Sequence, residues 1–204
     1  MTPKIDPYDG LRSDQWAART QKLVDAHPLE PAEIVEVVLD VWDRILTTKI
    51  AGQLEIGSDV RPSPQMMGNF LETVMVVEFS KRYPGIWREQ RVKSEKDLVH
   101  EPDDAFSTEI KTSSSATGMP GNRSYAQPVE VQKRVGTKVR DGYYISVNFE
   151  PFDPTNDNLP RIRMIRMGWL SHSDWVGQAQ PTGQRADPTP DARAGKLIKL
   201  YTKS

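Results

Sequence analysis

Residues 96–113 read KDLVHEPDDAFSTEIKTS, and this run predicts a β-hairpin with charged groups on one face. Two short segments of β-forming residues flank the turn-forming sequence Pro-Asp-Asp. A turn centred on residue 103 sets Asp97 opposite Glu109, and directly opposed residues have Cβ atoms only about 5 Å apart. Because alternate residues of a strand share a face, Lys111 lies beside Glu109. The hairpin is therefore expected to bring two carboxylates and one ammonium group together.

Such a group suits hydrolysis of a phosphodiester with the help of a metal ion. Mg²⁺ is a hard cation that takes one or two protein carboxylates together with phosphate oxygens, so Asp97 and Glu109 are the candidate ligands. Lys111 can orient or deprotonate the attacking water and stabilise the charge that develops on phosphorus. A Glu-x-Lys sequence alone is common, however, and an ion pair on an exposed strand face is the simpler interpretation of those two residues.

The rest of the chain predicts helices first and then a mixed sheet with little further helix. Apolar residues recur at helical spacing in three segments, at residues 13–26 with Ser13 or Asp14 as the cap, 31–49 and 65–82. Strands are predicted at residues 87–92, 96–100, 106–113, 143–149, 161–169 and 196–201, and a long loop at 177–195. We predict an α/β or α+β chain of one domain, with residues 1–52 as a helical N-terminal part and 64–204 as the core.

Composition excludes several classes of protein and site. The chain has 204 residues and no cysteine, so disulfides, thiolate zinc sites and cysteine nucleophiles are excluded. There is neither a long apolar run nor the apolar centre of a secretory signal, so we expect a cytoplasmic protein with no membrane contact. The sequence also lacks a glycine-rich phosphate loop, which argues against a nucleotide cofactor.

Charge is distributed unevenly in a chain whose net charge is only −1. Residues 1–60 hold eleven acidic and six basic residues, a balance of −5, whereas residues 111–140 hold six basic and one acidic residue, a balance of +5. The basic segment predicts either a phosphate-binding face or an ordinary solvated surface. Its candidate phosphate contacts are Lys133, Arg134, Lys138 and Arg140. Arg161, Arg163 and Arg166 either act in the same way or keep an outer strand soluble.

The order of these features resembles the PD-(D/E)XK nuclease superfamily. An acid, a hairpin turn, the Glu109-Ile110-Lys111-Thr112-Ser113-Ser114 run and the later Gly121-Asn122-Arg123-Ser124-Tyr125-Ala126-Gln127 run are similar, more particularly, to ScaI-type restriction endonucleases. The close match covers residues 95–127. The sequence departs from the superfamily pattern at Lys96, where a proline often precedes the first acid.

This resemblance implies a restriction-endonuclease-like α/β/α core with a central mixed sheet of about five strands. It implies a type II enzyme that cleaves double-stranded DNA with Mg²⁺, or with Mn²⁺ as a substitute, at a short palindrome. The two-fold symmetry of a palindrome favours a homodimer. The superfamily also tends to place a glutamate on the helix before the hairpin, which points to Glu72, with Glu78 as the competing candidate.

Residues 121–125 are the candidate segment for reading DNA. Arginine pairs with guanine and asparagine with adenine in the major groove, so Asn122 and Arg123, with Ser124 and Tyr125, are predicted DNA contacts on a flexible loop beside the catalytic strand. A purely structural loop is the alternative for this segment. At the level of the whole protein, the alternatives are a repair nickase, a junction resolvase, an inactive DNA-binding module and a scaffold domain without DNA affinity.

Overall fold

The computed structural model describes residues 6–126, 141–177 and 185–203. The helices are α1 (Ser13–Asp25), α2 (Pro31–Leu46), α3 (Pro64–Arg82) and α4 (Pro190–Gly195). The strands are β1 (Lys49–Ile50), β2 (Leu54–Glu55), β3 (Trp87–Glu89), β4 (Leu98–His100), β5 (Thr108–Ser113), β6 (Gly121–Asn122), β7 (Gly142–Phe149), β8 (Ile162–Leu170), β9 (Trp175–Gly177), β10 (Arg185–Pro188) and β11 (Leu197–Thr202). Within the described ranges, no helix is both long and apolar enough to cross a membrane.

The three predicted helices form where their apolar spacing indicated. The α2 helix buries its apolar stripe and starts at Pro31, a residue that suits the first helical turn because it needs no amide partner there. The Ser63 side chain caps α3 by accepting a hydrogen bond from the amide of Met66. The cap predicted for α1 was wrong, since Arg12 occupies that position and its amide bonds to the side chain of Gln15.

A six-stranded mixed sheet forms the centre of the protein, in the order β11-β8-β7-β5-β4-β3. The prediction of an α/β fold with a mixed central sheet is confirmed, although the sheet has one strand more than the five expected. Only β5 and β7 are parallel neighbours, and all other neighbours are antiparallel. The segment at 161–169 is not an outer strand, because β8 lies between β7 and β11.

The predicted loop at 177–195 was wrong for its second half. Residues 185–188 form β10, which pairs with β6 and β9 in a separate three-stranded sheet, and the short α4 follows. Thr189 caps α4 by accepting a hydrogen bond from the amide of Ala192. The many prolines and polar residues of this region concealed a strand whose hydrogen-bond partners are distant in sequence. Residues 178–184 lie outside the described part.

The two faces of the central sheet have different partners. On one face, which we call the helix face, the three long helices cover a large apolar core that includes Ile110, Ile145 and Val147. The opposite face, which we call the site face, carries Glu109 and Lys111 on β5, since these alternate with Ile110. A smaller core that includes Tyr144 and Trp175 joins this face to the three-stranded sheet. The candidate catalytic residues therefore lie on the side away from the helices.

Candidate active site

The site is built where strand β4 separates from strand β5. Their one backbone pair is Leu98 with Thr108, and the next step of this antiparallel register aligns Asp97 with Glu109, as the turn position predicts. Next to this pair, the side chain of Asp97 takes the place of a backbone acceptor. Its Oδ2 atom accepts a 2.9 Å hydrogen bond from the amide of Ile110. The hairpin therefore opens at this point, and the Asp97 carboxylate is held beside the backbone that follows Glu109.

Glu109 is held by two donors on the site face. Its Oε1 atom accepts hydrogen bonds from Lys111 Nζ at 2.5 Å and from the Tyr125 hydroxyl at 2.8 Å. The Glu109 side chain is only 2% exposed, whereas that of Lys111 is 18% exposed. The ammonium of Lys111 also lies 5.2 Å from the centre of the Tyr125 ring. The carboxylate is therefore buried and oriented, and the lysine remains accessible to a substrate.

The charges of the two acids act on Lys111. Burial by itself would lower the pKa of this lysine, but the negative charges of Glu109 and Asp97 outweigh that effect and raise the pKa above its usual value. Lys111 is thus a cation in this arrangement. It is placed to attract an anionic substrate and to balance part of the carboxylate charge.

The structure does not bring Glu72 into one cluster with Asp97 and Glu109. Helix α3 lies on the helix face, where a Cβ added at Gly68 would be 2.7 Å from Thr112 Oγ1, and Glu72 is one turn further along and half-buried. Glu78, the competing candidate, instead forms ion pairs with Arg44 and Arg82. Assistance by Glu72 stays a prediction, and Glu78 belongs to a surface network between α2 and α3.

The predicted flexible loop at 121–125 is instead part of the three-stranded sheet. Gly121–Asn122 form β6, and Arg123–Ala126 form a 3-10 turn. A side chain at position 121 would collide with Trp175, because a Cβ there would lie 2.9 Å from its ring. Tyr125 is buried against the same ring, with the ring centres 4.6 Å apart.

Tyr125 therefore reaches Glu109 rather than open solvent, which the sequence did not reveal. The structure describes only the backbone of Asn122, Arg123 and Ser124, which lie on β6 and the 3-10 turn before Tyr125. Their side chains fall outside what the structure describes. The predicted phosphate contacts Lys133, Arg134, Lys138 and Arg140 also lie outside the described residues.

Two further buried residues flank the site and were not predicted. Lys96, at the position where the superfamily often has proline, is 7% exposed, and its ammonium lies 4.6 Å from the centre of the Tyr144 ring. Tyr144 is fully buried and is paired in register with Glu109 across β5 and β7. Burial, with the nearby Tyr125 and Glu109, raises the pKa of Tyr144 well above its usual value. The parallel register of β5 and β7 is the signal that links Tyr144 to the site, and it is visible only in the folded chain.

The donor chemistry of the site fits a hard divalent cation. Asp97 and Glu109 supply carboxylate oxygens, which Mg²⁺ prefers, and their contacts with Ile110, Lys111 and Tyr125 hold both groups in place. Within residues 6–126, 141–177 and 185–203, no three His, Asp or Glu side chains are grouped to hold a metal by themselves.

Comparison with known proteins gives the same assignment over nearly the whole chain. The family model described as ScaI restriction endonuclease matches residues 6–201. The type II restriction enzyme ScaI of Streptomyces caespitosus is 39% identical over 204 residues, which cover 99% of this chain and 88% of that enzyme. Both matches extend well beyond the hairpin that carries the candidate catalytic residues. The chain therefore belongs to the ScaI restriction endonuclease family.

Proposed function

We propose that this protein is a type II restriction endonuclease that hydrolyses phosphodiester bonds of double-stranded DNA at a short palindrome. The observation that carries the proposal is the meeting of Asp97, Glu109 and Lys111 at the opening of the β4–β5 hairpin, in a member of a restriction endonuclease family. An exposed ion pair, the simpler interpretation of Glu109 and Lys111, does not account for a glutamate that is 2% exposed and held by two donors.

The residues of the site would divide the work as follows. Asp97 and Glu109 would hold Mg²⁺ or, as a substitute, Mn²⁺, and such an ion neutralises the phosphodiester and lowers the pKa of water. Lys111 would orient the attacking water and stabilise the negative charge that develops at phosphorus. Tyr125 would keep the Glu109 carboxylate in position through its hydrogen bond. Glu72 would assist through water from the neighbouring helix.

DNA would be bound along the site face. Asn122 ends β6, and Arg123 and Ser124 follow it in the turn whose Tyr125 reaches Glu109, so contacts with base edges and the position of the catalytic carboxylate would be linked. Lys133, Arg134, Lys138 and Arg140 would bind backbone phosphates. Because a palindrome presents the same half-site on both strands, we expect a homodimer with one active site for each strand. Sedimentation in solution would then give twice the mass of the chain.

Digestion of a large, sequenced DNA by the purified protein with Mg²⁺ tests the proposal. We expect discrete fragments whose ends share one short palindrome, and no cleavage when EDTA removes the metal. Glu109→Ala should slow cleavage by about a thousandfold or more, since stabilisation of this kind contributes several kcal/mol. Glu89→Ala, which changes an exposed glutamate on β3 of the same sheet, is the matched control and should cleave like the wild type.

Other outcomes of the same digestion would replace the proposal. Nicks, or cuts confined to mismatched or branched DNA, would identify a repair nickase or a junction resolvase. Intact DNA that is nevertheless bound by the protein, at varied Mg²⁺ and Mn²⁺, would identify a binding module. In that case the catalytic roles of Asp97, Glu109 and Lys111 would have to be abandoned.

A further inference from the structure

A second group of cations lies on the site face, two and three strands away from Lys111. The register pairs Lys111 with Ser146, Ser146 with Arg166, and Arg166 with Lys199, so these four side chains form one row across the sheet. Neighbouring strands are about 4.8 Å apart, which puts the backbone of Arg166 about 10 Å from that of Lys111. The row connects the catalytic lysine with a basic region on the same face.

Arg166 is a buried cation that has no anionic partner among the described residues. It is 5% exposed, and its Nη2 atom bonds to three neutral acceptors, the Thr117 carbonyl, Ser146 Oγ and Asn148 Oδ1. Its Nε atom is buried and has no hydrogen-bond partner among the described residues. A buried guanidinium normally has a carboxylate or phosphate beside it, because removing its charge from water costs several kcal/mol. This arrangement is thus incomplete without an anion.

Arg166 lines a groove with a volume of about 660 Å³ between β8, β11 and α4. Two other cations line it, Arg193 on α4 and Lys199 on β11, and its described lining contains no Asp or Glu. Arg193 is half-buried, Lys199 is exposed, and within the described residues neither takes part in an ion pair. We call this the cation groove, defined by Thr117, Arg166, Arg193 and Lys199.

We propose that the cation groove is a second phosphate-binding subsite, which holds a backbone phosphate of the DNA away from the bond that is cut. This rests on the proposed function, because it takes DNA to be the substrate of the same face. A phosphodiester supplies the anionic oxygens that Arg166 lacks, and arginine matches phosphate geometry with two parallel hydrogen bonds. Together with Lys111, the subsite would fix the direction of the DNA strand across the sheet.

Bound phosphate would also act on the loop that follows the catalytic strand. The carbonyls of Ser115, Thr117 and Gly118 accept hydrogen bonds from Asn148 or Arg166, so this loop is tied to the floor of the cation groove. The loop leads from β5 directly to β6 and the 3-10 turn that carries Tyr125. An anion beside Arg166 would therefore stabilise the connection between the catalytic strand and the candidate reading segment.

The test is the salt dependence of DNA binding by the double variant Arg193→Ala/Lys199→Ala. The probe is a duplex oligonucleotide with the palindrome found by digestion, or a random-sequence duplex if none is found, in EDTA so that no cleavage occurs. Each lost phosphate contact lowers the slope of log affinity against log salt by about 0.9, so a fall of between about 0.9 and 1.8 is expected, with affinity about tenfold weaker or more at 0.1 M salt. Lys22→Ala/Lys81→Ala removes two exposed cations from the helix face and should leave the slope unchanged.

Arg166→Gln is the second variant, and its slope should fall by about 0.9. The Arg193→Ala/Lys199→Ala variant tests the subsite even if the Arg166→Gln protein does not fold. Wild-type affinity and slope in the Arg193→Ala/Lys199→Ala protein would overturn the subsite while leaving the proposed function intact. An equal loss in the Lys22→Ala/Lys81→Ala protein would also overturn it, since the effect would then reflect net charge. A wild-type protein that binds neither the palindromic nor the random-sequence duplex in EDTA would overturn the subsite, whereas the proposed function is refuted by the failure of the Mg²⁺ digestion.

Discussion

At the scale of single residues, the site depends on hydrogen bonds that position the acids as much as on the acids themselves. Glu109 accepts from Lys111 and Tyr125, and Asp97 accepts from the amide of Ile110. Hydrogen bonds to charged groups contribute about 1.5–3 kcal/mol each when they are buried. Loss of one such bond should therefore reduce catalysis without removing either of the carboxylates proposed to hold the metal.

Tyr125→Phe removes the hydroxyl that holds Glu109 and keeps the ring that packs at a tilt against Trp175. We expect kcat to fall by about tenfold or more, with an increased requirement for Mg²⁺ and unchanged DNA affinity, because the carboxylate loses orientation but not charge. Steady-state kinetics at varied Mg²⁺ measure this. Tyr201→Phe on β11 is the control. If the Tyr125→Phe enzyme has the same kcat as this control, Tyr125 does not position Glu109.

At the scale of elements, β6 is an edge strand of the three-stranded sheet, and the 3-10 turn that follows it reaches Glu109 on β5 through Tyr125. Gly121 is in contact with Trp175, and Tyr125 continues from the same turn to Glu109. The three-stranded sheet therefore has a direct mechanical connection with the active site. A small shift of β6 would therefore displace the hydrogen-bond partner of the Glu109 carboxylate.

Gly121→Ala tests that connection, because the new methyl would lie 2.9 Å from the Trp175 ring and 3.3 Å from Cγ of Tyr125. We expect a loss of about 1–3 kcal/mol in the free energy of unfolding and a larger loss of cleavage than this destabilisation explains. Denaturant unfolding and cleavage assays measure the two effects. In the control Gly177→Ala, the new methyl meets only the methyl of Ala126 at 3.3 Å, so equal activity of the two variants would contradict the connection.

Elements with a strong local pattern were predictable from the sequence, and elements that depend on distant pairing were not. The periodic apolar residues of α2 and the turn before β5 contained enough local information, and so the register of Asp97 with Glu109 could be derived. The strand β10 has no such pattern and is stabilised by β6, more than sixty residues earlier in the chain. Arg166 was interpreted either as a phosphate contact or as part of a soluble outer strand, and only the sheet order revealed that it is interior and buried.

At the scale of the whole molecule, the two faces of the sheet differ in charge as well as in packing. On the helix face, α2 holds four acidic residues and one basic residue while α1 and α3 are each balanced, whereas the site face carries Lys111 and the cation groove. We expect the acidic α2 helix to disfavour DNA on the helix face, which supports the proposed binding along the site face. Net charge alone, at −1, does not reveal this asymmetry.

The N-terminal helices and the catalytic hairpin are joined by His27, which lies between α1 and α2. Its Nδ1 atom accepts from the amide of Leu29, so Nε2 carries the proton and can donate to the carbonyl of Phe106. Burial lowers the pKa of His27 from 6.5 to about 4, because a charged ring is poorly solvated there. The neutral ring is therefore the form that stabilises the fold.

Stability should consequently fall as the solution is acidified. The contribution of His27 is complete above pH 6.5, the unfolded value, and is lost as the pH falls from there toward 4, with about 2 kcal/mol lost by pH 5. Denaturant unfolding at pH 7 and pH 5, followed by tryptophan fluorescence, measures the loss. His27→Gln cannot gain this proton, so it should lose about 2 kcal/mol less than the wild type between the two pH values. Equal losses in both proteins would exclude His27 as the cause.

The bond between Asp97 and the amide of Ile110 also provides a spectroscopic signal. In a regular strand this proton would report on a neighbouring carbonyl, but here it reports on the charge of the Asp97 carboxylate, which we propose to be catalytic. The resonance of a single backbone nitrogen should therefore move when a divalent ion reaches Asp97, even in protein that has no DNA bound. Because the partner is main chain rather than side chain, no substitution is needed to observe it, and the native enzyme contains its own titration probe.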